Sequence, residues 1–100
     1  MNKKMMKQAQ QLQSQMMKAQ EELGNEVVEV SSGGGLVTVA MTGHQDIVSI
    51  KISPEVVDPE DVESLEDVIM AALKEATQKS RELAEKKMGA LTGGLKIPGF

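Results

Sequence analysis

The side chains of this chain best placed to do chemistry are cations, and they recur at helical spacing. Lys3, Lys7 and Lys18, with Gln10 and Ser14 between them, fall on one face when successive residues are rotated by about 100°. Lys4 lies to one side of that face. Towards the other end, Lys74 and Arg81 share a face, while Lys79, Lys86 and Lys87 flank an apolar stripe. Lysine and glutamine hold phosphate by charge and hydrogen bond without reading bases. A polyanion is therefore the partner these rows could take. The plain alternative is two ordinary solvated helix faces.

Other chemistries are excluded by what the sequence lacks. With 0 Cys there is no thiol nucleophile, disulfide framework or zinc knuckle. With 1 His there is no His-pair metal site, and a Ser-His-Asp mechanism is disfavoured. Aromatic content of 1%, the single Phe100, excludes the base-stacking platforms of RRM and OB domains. Gly33-Gly34-Gly35 is followed by neither a helix nor Lys-Ser/Thr, so it reads as a hairpin turn and not a phosphate loop. His44 beside Asp46 reads as a solvated turn histidine. Asp58, Glu60, Asp61, Glu63, Glu66 and Asp67 lack the spacing and central glycine of a calcium loop and are explained as helix caps. No acid–base pair has an orienting partner. The expectation is a protein that is not an enzyme and takes no cofactor or metal.

The elements that must position the cations can be read from periodicity. Met5, Ala9, Leu12, Met16, Ala19 and Leu23 recur at alternating spacings of four and three. That is the seam of an amphipathic helix, and Gly24 is placed to stop it in the left-handed conformation. Met6 and Met17 fall together off the seam and read first as a broadening of the core stripe, otherwise as an adaptable contact surface. Three β-branched runs follow, Asn25 to Ser32, Leu36 to Thr42 and Asp46 to Ser53. Their connections are too short for parallel crossovers, so the sheet is an antiparallel meander. After Pro54, Asp58-Pro59 opens a single turn. A long helix is expected from about Leu65 to Met88, with the stripe Leu65, Ile69, Ala72, Ala76, Ser80 and Leu83 widened by Val68 and Leu73, and with Gly89 closing it. The fold class is α+β, in the order α-β-β-β-α. Residues 1–89 form one domain and 90–100 a glycine-rich, irregular tail.

One hundred residues suit one domain, and mean hydropathy of -0.24 suits an ordinary soluble chain. The net charge of -4 conceals segregation. Residues 1–23 carry four lysines against two glutamates, 24–67 ten acids against Lys51, and 68–100 six bases against three acids. No aliphatic run approaches the ~20 residues of a membrane span, and no apolar stretch follows the basic start, so the cytoplasm is the default address and no membrane partner is expected. Two helices of roughly 33 Å cannot both be covered by strands of about 20 Å, and a three-stranded meander leaves open edges. A symmetric homodimer is the simplest remedy. Pairing of the first helix with the last within one chain is the competing explanation for the seam.

The order of several short motifs adds to this reading. They are the Met/Gln/Lys-rich start through Glu21-Glu22-Leu23, Gly33-Gly34-Gly35-Leu36-Val37, Ile52-Ser53-Pro54-Glu55-Val56-Val57-Asp58-Pro59-Glu60-Asp61, and Leu65-Glu66-Asp67-Val68-Ile69. Met88-Gly89-Ala90-Leu91-Thr92-Gly93-Gly94 and Pro98-Gly99-Phe100 complete the set. Over nearly its full length the chain resembles the YbaB/EbfC family of bacterial nucleoid-associated proteins. The resemblance implies a tweezer-shaped homodimer of α-β-β-β-α protomers that binds duplex DNA on the nucleoid, affects gene expression and nucleoid organisation, and uses its two helices as the contacting parts. On this sequence those contacts would be Lys3, Lys4, Lys7, Lys18, Lys74, Lys79, Arg81, Lys86 and Lys87. Two departures stand out: Thr42-Gly43-His44 where relatives often have Asn-Gly, and Ala72-Leu73-Lys74-Glu75-Ala76 where they often carry Asn-Asp. The alternative function is an adaptor for replication or recombination proteins, docking through Met6, Met17 and the tail, with DNA binding incidental.

Overall fold

Asn2 opens the first helix. Its side chain accepts a hydrogen bond of 2.8 Å from the Met5 amide, which satisfies one of the donors a helix start leaves free. In the computed structural model, which describes residues 2–92, the helix α1 runs over Lys3–Leu23. Strands β1 (Val27–Ser32), β2 (Val37–Thr42) and β3 (Ile47–Ile52) follow, then a 3-10 turn at Pro54–Val56 and the helix α2 (Val62–Leu91). The strands form an antiparallel sheet in the order β1-β2-β3. The α+β reading and its α-β-β-β-α order are therefore observed.

The local chemistry explains where the boundaries fall. Gly33, Gly34 and Gly35 all have positive φ, between 64° and 91°, a run that side chains with a Cβ strongly resist. Strand β1 starts two residues later than expected because Asn25 and Glu26 still donate their amides to Glu22 and Leu23 carbonyls at the end of α1. Gly24 is right-handed, at φ -65°, and not left-handed as anticipated. A Cβ there would stand 3.0 Å from His44 Cε1, so the imidazole would have to give way by a few tenths of an ångström. Asp58 closes its own turn by accepting from the Glu60 amide at 2.9 Å. The cap of α2 is Asp61, which takes both the amide and the hydroxyl of Ser64, so this helix begins three residues before Leu65. It also continues through Gly89 to Leu91, which places Ala90 and Leu91 in the helix and not in a tail. The remainder of the expected tail, 93–100, lies outside the described residues.

Packing divides into two clusters. Val30, Val37, Val39 and Met41 present one sheet face to Ala72 and Ala76 of α2, all six buried. The small side chains Ala72, Ala76 and Ser80 let α2 lie close to the sheet, and Ser80 Oγ donates 2.7 Å to the Thr42 carbonyl. Val37 and Val39 have no exposed surface, each contributing about 1.5–3 kcal/mol by burial. The second cluster joins Ala19 and Leu23 of α1 to Met88 of α2, with Met16, Leu83 and Leu91 around it.

Pairing of the two helices thus holds only for the last turns of the α1 seam. Met5 and Leu12 on the same seam are exposed, and α1 projects as an arm fixed at one end. Met6 and Met17 do not widen the core: they are 50% and 67% exposed, because no element lies against that flank of α1. The radius of gyration, 18.9 Å, exceeds the ~13 Å of a compact chain this long.

Candidate nucleic-acid interface

Cations cluster at the free end of the arm. Lys3, Lys4 and Lys7 are exposed there, and Lys18 continues the row nearer the base. Among the described residues, none of these four has a carboxylate within 4 Å. The first turn of α1 holds no acidic residue, although the positive end of a helix dipole favours acids and disfavours cations by about 0.3–1 kcal/mol each. The arm therefore stacks side-chain charge on the helix's own positive pole, an arrangement poor for helix stability and suited to an anion. Lys3 and Lys18 stand about 22 Å apart along the axis, at 1.5 Å per residue.

On α2 the cations fall into separate places. Lys74 and Arg81 border one open groove of about 390 Å³ with Met70, Leu73 and Thr77. Lys79 and Lys86 are exposed on another flank. Lys87 is different. Its Nζ donates 3.0 Å to Glu22 Oε2 and 3.1 Å to Glu26 Oε1, and its side chain is only 21% exposed. Those two carboxylate bonds, Glu22 first, raise its pKa above the ordinary lysine value of 10.5. Nothing in the sequence signals this engagement, because Glu22 and Lys87 are 65 positions apart and meet only through the fold.

The base of the arm is fastened on several sides. Leu23 is buried, and its carbonyl accepts 2.9 Å from the Gly43 amide. The His44 ring donates from Nε2 to the Gln20 carbonyl, so this histidine anchors α1 and is not simply a solvated turn residue. Gly43 is required by this approach, since a Cβ there would lie 2.7 Å from Leu23 O. The left-handed position of the turn is Gln45, at φ 66°. In this turn glycine serves contact at 43, not handedness.

The family model of the YbaB/EbfC DNA-binding family matches residues 1–95. The chain belongs to the YbaB/EbfC DNA-binding family. A nucleoid-associated protein of Pelotomaculum thermopropionicum is 55% identical over 97% of this chain and 92% of its own length. One of a Roseiflexus species is 55% identical over 92% of this chain and 91% of its own. Among solved structures, the uncharacterized protein HP0035 from Helicobacter pylori matches with a TM-score of 0.78 at 20% identity, covering 93% of this chain and 99% of that one. That likeness shows the fold. Among the described residues, no helix is long and apolar enough to cross a membrane.

Proposed function

We propose that this chain is a homodimeric, non-enzymatic protein that binds duplex DNA in the cytoplasm, on the nucleoid, through phosphate contacts with little sequence preference. The observation that carries the reading is the unpaired cationic row of the α1 arm, built on the positive pole of its helix. Lys3, Lys4, Lys7 and Lys18 are its principal contacts. Lys74, Lys79, Arg81 and Lys86 on α2 extend the basic surface, whereas Lys87 is occupied within the protein. Binding of this kind organises the nucleoid and alters gene expression by occupancy.

Dimerisation is supported by the β3 strip of the sheet's helix-facing side, which α2 leaves uncovered. Ile47, Ile50 and Ile52 pair with Met41, Val39 and Val37 and so share the helix-facing side, yet all three are exposed, Ile47 at 54%. They sit on an edge strand whose outer hydrogen-bonding groups are unpaired in the sheet. The accessible surface of 7355 Å² exceeds the ~5,500 Å² of a compact chain of this mass. A second copy seated on β3 would cover the excess apolar surface.

The test is a titration of the purified full chain against two unrelated duplexes at several salt concentrations. Affinity should be similar for both, and log affinity should fall with log salt at a slope near −0.9 per phosphate neutralised. Changing Lys3, Lys4 and Lys7 to Glu should weaken both duplexes equally. A triple variant that binds like the wild type would falsify the assignment of the arm. Loss of DNA binding with capture of a replication enzyme at high salt would favour the adaptor reading.

A further inference from the structure

We infer that Lys87 is a positioning residue for DNA binding: clamped between Glu22 and Glu26, it sets the angle of the α1 arm and hence where the arm's lysines meet the phosphates. The inference rests on the DNA-binding reading above.

The geometry is that of a lever with a short base. Lys87 comes from the last turns of α2, Glu22 from the end of α1, and Glu26 from the chain entering β1. One ammonium therefore ties three segments at the point where the arm leaves the body. The apolar part of that base is small, with only Ala19, Leu23 and Met88 buried, and such contacts resist separation better than rotation because they are non-directional. The two charge-assisted bonds add direction on the α2 side of the base, opposite the Gly43–Leu23 and His44–Gln20 hydrogen bonds that hold α1 to the sheet turn. Glu22 lies at the negative pole of α1, where an acid is unfavourable and where the last turn of the helix has no base of its own. Lys87 supplies the missing cation from another element. Glu26 Oε2 is buried without a hydrogen-bond partner, and Lys87 is the only cation within 4 Å of that carboxylate among the described residues.

The lever ratio makes a small angular error large. Lys3 is about 28 Å from Glu22 along the helix. A rotation of about 10° at the base displaces the tip by about 5 Å, more than the ~3.4 Å rise between phosphates of one strand. An arm that swings by that amount moves Lys3, Lys4 and Lys7 by more than the length of a salt bridge, out of register with the phosphates they would otherwise meet. A lysine that touched DNA directly would behave otherwise, and its removal would cost one contact.

The sign of one variant separates the two roles. E22A/E26A removes two negative charges, so electrostatics alone predicts tighter DNA binding, whereas a positioning role predicts weaker binding. Both duplexes should be titrated with the full chain carrying E22A/E26A, K87M or K87R. The chain has 0 Cys, so spin labels introduced at Q8C and Q78C, diluted with unlabelled chain, report the distance from arm to α2 within one protomer. We expect about tenfold weaker binding and a broadened distance distribution for E22A/E26A and K87M, with near wild-type values for K87R and cooperative melting throughout. Binding by E22A/E26A as tight as or tighter than wild type overturns the inference, as does an unchanged distance distribution. A wild-type chain that binds neither duplex overturns the DNA-binding reading. Unchanged distances overturn the clamp whether or not DNA binds, so the two failures are told apart.

Discussion

At the scale of single residues, Gly43 and Lys87 carry the most consequence. Gly43 sits against the Leu23 carbonyl, and the 2.7 Å approach of an added Cβ cannot be relieved by turning a side chain. Gly43→Ala should therefore destabilise the fold by about 1–3 kcal/mol, the usual range for overpacking, read as a lower denaturant midpoint. Lys87 has a folded pKa above its unfolded 10.5. A raised pKa means that the stabilisation it brings is complete below pH 10.5 and fades as pH climbs through the higher folded value. The melting difference between wild type and Lys87→Met should thus be constant from neutral to moderately alkaline pH and should shrink only above that. A difference that shrank between pH 7 and 9 would contradict the assignment.

At the scale of elements, the sequence made the order legible because each element has its own period. The seam of α1 and the Val-rich alternation of β1 and β2 stand out without a structure, and the cationic rows of α1 follow from the same arithmetic. What escaped was set by local backbone detail that composition does not show and by neighbours that the fold supplies or withholds. The helix α2 starts at Val62 and not near Leu65 because Asp61 caps it, taking both the amide and the hydroxyl of Ser64; Asp61→Ala should cost about 0.5–2 kcal/mol, measured by thermal melting. The end of α2 was misjudged because Gly89, whose absent Cβ has nothing within 4 Å of it, interrupts the residue pattern but not the backbone. In β3 a register shift opposite Ala40 and Met41 brings Ile47 to the same side as Ile50 and Ile52, a placement that strict alternation along the strand does not give. Met6 and Met17 have an apolar pattern but no neighbour to meet, and a pattern alone does not reveal that.

At the scale of the whole molecule, the uncovered side of β3 is the feature that a dimer would resolve. The full chain should sediment as a dimer at micromolar concentration. Ile47→Asp combined with Ile50→Lys should shift it towards monomer while circular dichroism still reports helix and sheet. A wild-type chain that stayed monomeric at those concentrations would leave the exposed isoleucines without explanation and sink the dimer. The arm has a further consequence of a different sort. Because only the last turns of α1 are packed, the rest of that helix is free to change length without disturbing the core. Inserting one seven-residue period ahead of Met16 would lengthen its reach by roughly 10 Å at 1.5 Å per residue, returning the seam to nearly the same heading. A helix held in this way is a ruler whose length can be reset by insertion or deletion while the fold around it stays unchanged, and the span of duplex protected by such variants should lengthen or shorten with it if the arm is the DNA contact.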